Sequence, residues 1–197
     1  MTFEQQCVLE FSKKFNSDCP DVKTIPPEDV IASRLSLLRE EVLELEEACR
    51  KSIVYVAHEM ADVLYLAYGT AIACGIEMQL EAFPKPVRNP QLPFRATINY
   101  HLKMLSNYLD VLEEDFSRRN VDGIEVDLFD LRFTIFTFAY YCGIDLIPVF
   151  AEIHKSNMTK EPGQKREDGK ILKTEKYSPP NIESIILEQT SKYINQR

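Results

Sequence analysis

Apolar residues recur along this chain at spacings of three and four and nowhere alternate cleanly, so the pattern predicts helices throughout. The first runs from Phe3 to Phe15 and ends in NSDCPDVKTIPPED, where Pro26 and Pro27 bar helix and Glu28 and Asp29 suit the next start. In that second helix Leu35, Leu38, Val42, Leu45 and Cys49 form the buried stripe, widened by Leu37 and Ala48. Ile53 to Cys74 is almost wholly apolar, interrupted mainly by His58, Glu59 and Asp62. Its length would span a bilayer, but two carboxylates one turn apart near the middle would each cost about 2.5–3.5 kcal/mol there. A buried bundle helix is expected instead. PKPVRNPQLPF, residues 84–94, reads as an extended linker. Helices resume over Arg95 to Arg118 and from about Ile124, a loop-like stretch follows Ala151, and a last helix covers Ile182 to about Ile194. The expectation is one all-α domain, a helical bundle. Its parts are an acidic hairpin (27–83), the linker (84–94), a second hairpin (95–150), a basic segment (151–181) and a C-terminal helix (182–197).

The two hairpins resemble each other. HEMADVLYLAYGTAIACGIE from His58 aligns without gaps on VDLFDLRFTIFTFAYYCGID from Val126, at an offset of 68. The preceding helices align at an offset of 67, from Arg34 against His101. In this register Glu59 and Asp62 meet Asp127 and Asp130, whereas Glu40, Glu41 and Glu44 meet Asn107, Tyr108 and Val111. A duplication whose second copy has degenerated is expected, with chance similarity of amphipathic helices as the competing reading.

Composition narrows the function. A formal net charge of -8 and a pI near 5 argue against a broad electrostatic grip on nucleic acid. Five scattered cysteines without a C-x-x-C pair, and a start that lacks the features of a secretory signal, suggest a reduced, cytoplasmic protein with no membrane partner. Against this acidic background, Lys155 to Lys176 holds seven Lys or Arg and four acids, so it offers local positive charge.

At 100° per residue Glu41 projects inside the widened apolar arc of the second helix and Glu44 lies at its border, while Glu40, Glu46 and Glu47 point toward water. Packed against Glu59 and Asp62, these acids would converge between apolar walls. Unpaired buried anions repel one another and are costly to desolvate, so a cation must sit among them. Hard oxygen ligands suit Mg²⁺, with Mn²⁺ as the alternative. Two structural readings compete: a solvated helix face, or buried salt bridges to Arg34, Arg39 or other core cations.

E-E-x-x-E (Glu40, Glu41, Glu44), followed after fourteen residues by E-x-x-D (Glu59, Asp62), resembles the signature of the all-alpha NTP pyrophosphohydrolases. That superfamily includes MazG proteins, dimeric dUTPases and phosphoribosyl-ATP pyrophosphohydrolase. AHEMADVLYLAYG, FAEIHKSNMTK, DGKILK and YSPP look like the MazG-like, dUTP-cleaving type known from Deinococcus. The resemblance covers roughly residues 8–80 and 146–187; the second hairpin lies between as an insert. It is similar to the fused, single-chain dUTPases in that one chain would supply helices that a partner gives in a homodimer. The chain is therefore expected as a homodimer, or as a single chain acting as a fused pair.

The resemblance implies hydrolysis of a nucleoside triphosphate such as dUTP to the monophosphate and pyrophosphate. Glu41, Glu44, Glu59 and Asp62 would hold the metal, and Glu40 is the candidate to position or deprotonate water. Asn157 and Lys160 are the family-based candidates for phosphate or sugar contacts, joined by Lys155, Lys170 and Lys173. His58 is a further substrate candidate, while Tyr65 and Tyr68 are expected to pack. The alternatives are phosphoribosyl-ATP pyrophosphohydrolysis and a non-catalytic nucleotide or partner binder.

Overall fold

The computed structural model describes residues 1–79, 83–86, 88–163, 166 and 170–195. These residues form seven helices and no strand: α1 (Phe3–Lys14), α2 (Glu28–Ala48), α3 (Ile53–Ala73), α4 (Arg95–Arg118), α5 (Val121–Cys142), α6 (Leu146–Asn157) and α7 (Ile182–Asn195). Local chemistry sets several of the starts. Thr2 accepts from Gln5 N at 3.1 Å, Asn120 from Gly123 N at 3.2 Å and Asp145 from Ile147 N at 3.4 Å, each satisfying an otherwise orphan amide in the first turn.

Helix α3 is the axis of the bundle, packing against α1, α2, α5, α6 and α7. Its buried residues include Val56, Met60, Leu64, Tyr68 and Ile72 together with Ala57, Ala61, Ala67 and Ala71. Small side chains on several faces let neighbouring helices approach closely. No single helix among the described residues is long and apolar enough to cross a membrane.

Two boundaries differ from expectation. Helix α5 begins three residues before Ile124, because the Asn120 cap captures the preceding turn. The segment after Ala151 is not loop at its start: α6 continues through Asn157. The real break is at Gly143, whose φ of 73° ends α5 in the left-handed region that glycine adopts without steric cost. Of the charged residues expected in the basic segment, Lys165, Glu167 and Asp168 lie outside the described residues.

The two hairpins repeat one backbone detail. Gly75 (φ 63°) and Gly143 (φ 73°) end α3 and α5, and Ile76 N and Ile144 N each donate 2.9 Å back to Ala71 O and Ala139 O. The extended segment before each hairpin docks on that end: Thr24 N donates to Cys74 O and Gln91 N to Cys142 O, both at 2.9 Å. A Cβ on Gly75 would meet Val22 O at 2.0 Å, and one on Gly143 would meet Asn89 O at 2.6 Å. These pairs keep the 67- and 68-residue offsets of the sequence alignment. Helix α3 lies against α5 and α2 against α4.

Candidate active site

A cavity of about 1030 Å³ opens among α1, the 17–27 loop, α2, α3, the end of α6 and the basic segment. Among the described residues, neither α4 nor α5 lines it. Helix α2 contributes Arg34, Leu37, Glu41 and Glu44, which succeed one another at spacings of three and four and so share one face. Helix α3 contributes His58, Glu59, Asp62, Tyr65 and Leu66 on the same principle. The lining also includes Asn157, Lys160, Lys170 and Lys173.

Glu41, Glu44 and Glu59 each bring a carboxylate oxygen within 4.8 Å of the others. They differ in environment. Glu41 is 5% exposed, Glu59 is half-buried and Glu44 reaches solvent. The expected enclosure of four carboxylates between apolar walls is therefore found fully only at Glu41. Burial, and then the neighbouring Asp62 carboxylate, push Glu41 up to about 7 against the pull of Lys170. Burial followed by Asp62 likewise raises Glu59 to about 7. Asp62 lies one turn from Glu59 and turns toward His58, with 3.2 Å between Nε2 and Oδ2. Burial pulls the His58 imidazole down, but the hydrogen bond to Asp62 and the Asp62 and Glu59 charges together outweigh this and leave it above its ordinary value.

The cation answering this charge comes from the basic segment. Lys170 Nζ donates to Glu40 Oε1 at 2.8 Å and to Glu41 Oε1 at 3.0 Å. Burial opposes its charge, yet these two bonds hold Lys170 above its ordinary range. Arg166 also binds Glu40, from Nη1 at 3.3 Å and from Nη2, and this hydrogen bond is the leading reason Glu40 sits below the usual carboxylate range. Of the competing salt-bridge reading, the Lys170–Glu41 pair is formed, whereas Arg34 makes no pair with the described acids and Arg39 pairs across to Asp110 (2.9 Å) and Glu113 (2.7 Å) of α4. Glu41 Oε2 remains buried with no hydrogen-bond partner. An orphan carboxylate oxygen beside two further carboxylates fits a hard divalent ion, for which all-oxygen sets are the normal donors.

The remaining expected residues divide. Asn157 is buried near the Tyr65 hydroxyl, which itself is 3.0 Å from His154 Nδ1. Lys14 of α1 holds the turn after α6 by donating to Met158 O (2.5 Å) and Lys160 O (2.8 Å). Lys160 thereby points into the cavity, where burial lowers its pKa. Lys160 and Lys173 both lie over the Tyr177 ring, at 5.9 and 4.9 Å. Lys155 is exposed and pairs with Glu152 at 3.2 Å, away from the cavity wall. Glu40 does not line the cavity and is bound to Arg166 and Lys170. Tyr68 packs as expected, its hydroxyl accepting from Arg132 Nε at 2.8 Å, whereas Tyr65 lines the cavity.

Sequence reasoning missed the contributions of α1 and the 17–27 loop, and also that of Arg34. Arg34 lies one heptad before Glu41 on the same stripe, so helical spacing alone could have placed it.

Residues 8–89 match the phosphoribosyl-ATP pyrophosphohydrolase family, a span that contains all five candidate acids. An uncharacterized protein of Acanthamoeba polyphaga mimivirus is 26% identical over 181 residues, covering 83% of this chain and 71% of that one. No solved structure matches this chain.

Proposed function

We propose that this chain, whose residues 8–89 carry a domain of the all-alpha NTP pyrophosphohydrolase superfamily, hydrolyses a nucleoside triphosphate to the monophosphate and pyrophosphate. The preferred substrate is a deoxynucleotide such as dUTP. The observation carrying this reading is the orphan Oε2 of buried Glu41 beside Glu44 and Glu59, in a cavity that Lys160, Lys170 and Lys173 also line. Carboxylates and ammonium groups in one cavity suit a polyphosphate with its counter-cation.

Glu41, Glu44 and Glu59 would hold Mg²⁺, or Mn²⁺, with Asp62 completing the set. When bound, the ion neutralises phosphate oxygens and orients the reacting phosphoryl group. The protein's own groups do the rest. Lys160, Lys170 and Lys173 bind the phosphates, and Asn157 meets phosphate or sugar. As Lys170 and Arg166 turn toward the incoming phosphates, Glu40 is released and accepts the proton of the attacking water. The water oxygen bonds to one phosphorus of the α–β bridge, and the P–O bond between that phosphorus and the bridging oxygen breaks. Its electron pair leaves on the bridging oxygen with the other phosphoryl group, giving the monophosphate and pyrophosphate. His58 holds Asp62 in orientation.

The second hairpin is taken as a degenerate copy, an origin supported by the repeated docking at Gly75 and Gly143. It covers α2 and α3 in place of a partner's helices. A second substrate reading, phosphoribosyl-ATP, is favoured by the family match itself.

The test is pyrophosphate release with Mg²⁺ or Mn²⁺ from dUTP, dCTP, dTTP, dATP, dGTP and phosphoribosyl-ATP, with Glu44→Gln as control. Release from a deoxynucleotide that the variant abolishes is expected. Release from phosphoribosyl-ATP alone would favour the second reading, and silence on all six would leave a non-catalytic nucleotide binder.

A further inference from the structure

The cavity has two chemically different ends. At one end are the acids and lysines already described. At the other is Arg34 of α2, in a lining that includes the apolar Val8, Phe11 and Ile25 as well as the polar Asp18, Asp29 and Ser33. Arg34 lies seven residues before Glu41, and Gly69 lies seven after Asp62. At about 1.5 Å of rise per residue, both helices place this end roughly 10 Å from the carboxylates.

The guanidinium of Arg34 makes no hydrogen bond or ion pair with any described residue. The residue is half-buried; burial lowers the pKa of its guanidinium, against smaller contributions from Cys74 and Cys19. Its Nη1 lies where a Cβ on Gly69 would stand 2.7 Å away, so the absent side chain at Gly69 makes room for it. Guanidinium groups withdrawn from water normally have a carboxylate, phosphate or carbonyl partner. Here the vacant donors face a cavity that the preceding reading fills with a nucleotide.

With the triphosphate at the lysine end, the nucleobase occupies the Arg34 end. The surrounding apolar and aromatic side chains suit its flat faces. We propose that Arg34 determines base specificity, donating to the carbonyl oxygen that guanine, uracil and thymine carry where adenine and cytosine carry an amino group. A donor-only guanidinium complements O6 and N7 of guanine and O4 of uracil or thymine, and opposes the amino hydrogens of adenine N6 and cytosine N4. Mismatched bases leave buried donors unpaired, which makes rejection stronger than attraction. This inference rests on the nucleotide-hydrolysing reading, and it disfavours the adenine of phosphoribosyl-ATP.

The experiment measures equilibrium binding of dUMP, dGMP, dCMP and dAMP to the full chain with Mg²⁺, beside kcat/KM for the corresponding triphosphates. The native protein should favour dUMP over dCMP and dGMP over dAMP by at least about tenfold. Arg34→Met should collapse both ratios to within about twofold. Gly69→Ala keeps the charge but displaces Nη1, and should erode the same ratios; it decides the matter if Arg34→Met does not fold. Inhibition by inorganic tripolyphosphate should be equal in the native protein and Arg34→Met. Equal losses for all four bases, or loss of tripolyphosphate inhibition, would make Arg34 a phosphate contact and overturn the inference, as would a native protein without the preference. Base-selective binding without pyrophosphate release would remove the hydrolytic reading and keep Arg34 as base reader. Release without base preference would do the reverse.

Discussion

The hairpin α2–α3 and the hairpin α4–α5 share a backbone frame, the same glycine ends and the same docked leading segments, yet only the first faces the cavity. At the positions where the first presents polar groups to that space, the second differs: Val111 and Val126, aligned with Glu44 and His58, are exposed apolar residues, and others pack. Where Arg34 presents unpaired donors, His101 is 3% exposed, bonds Thr97 O through Nδ1 at 2.8 Å and stacks 4.9 Å from the Phe138 ring. Where Glu41 leaves an orphan oxygen, Tyr108 stands. Asp127 and Asp130 stand at the aligned positions of the second acid pair, but Asp127 turns toward Asp115, whose carboxylate is bonded by Asn120 at 3.0 Å. The second hairpin keeps orphans of its own, Asp127 Oδ2 and Arg132 Nη1, but these lie within the bundle and line no part of the cavity. Unsatisfied buried polar groups are costly, and a ligand can meet them only where there is room for it. In the first hairpin orphan polarity opens on the large cavity, whereas the orphan groups of Arg88 and Asn89, in the segment leading the second, line a smaller one of about 510 Å³.

The largest effect that would break this contrast is on turnover. Glu59→Gln should lower pyrophosphate release by about a hundredfold or more, whereas Asp127→Asn combined with Asp130→Asn should leave it within about threefold. A hundredfold loss in the double variant would mean that the second hairpin belongs to the site.

An intermediate effect is expected at the two glycine ends. Gly75→Ala and Gly143→Ala each force a side chain into a left-handed conformation and against a carbonyl, and thermal or denaturant unfolding should show a loss of roughly 1–3 kcal/mol. The two should part in activity. Gly75→Ala displaces the 17–27 loop that lines the cavity and should also weaken substrate binding, while Gly143→Ala should leave KM near the native value. Equal effects on KM would erase the distinction.

The smallest effect concerns pH. Glu41 and Glu59 are raised from 4.5 to about 7, and Asp127 from 3.8 to about 7. For a carboxylate raised on folding, the native state binds more protons than the unfolded state between these values. Stability therefore falls as pH rises through that window, and the loss is complete above about 7. Melting temperatures in a chelator should decline from pH 5 to 8. Mg²⁺ should restore the part due to Glu41 and Glu59, more at pH 8 than at pH 5, and leave the part due to Asp127, which Asp127→Asn alone removes. A decline that Mg²⁺ fails to reduce would argue against a metal among the first-hairpin acids.

Much of this architecture was legible in the chain. Six helical segments followed from apolar spacing, and the seventh arises because Gly143 splits the run from Ile124 into α5 and α6. Glu41 was recognisable as an acid inside an apolar arc because helical angle alone fixes its face. Boundaries set by single side chains were less legible. The Asn120 cap draws α5 back to Val121, and the residues after Ala151, rich in charge, extend α6 to Asn157 because Val149, Phe150 and Ile153 bury one side of that helix. Glu40 pointed toward water as expected, but its partners Arg166 and Lys170 lie about 130 residues away and no local pattern names them.

By itself the sequence determined which residues share a helix face, because periodicity is a local property of the backbone. It thus set Arg34, Glu41 and Glu44 in one row and Glu59 and Asp62 in another. Only the tertiary structure decided which row meets which: that Lys170 reaches Glu41, that Lys155 turns away to Glu152, and that Arg34 is left facing a cavity. Partnership across space depends on how helices cross and where distant loops return, and burial then converts each match or mismatch of charge into free energy.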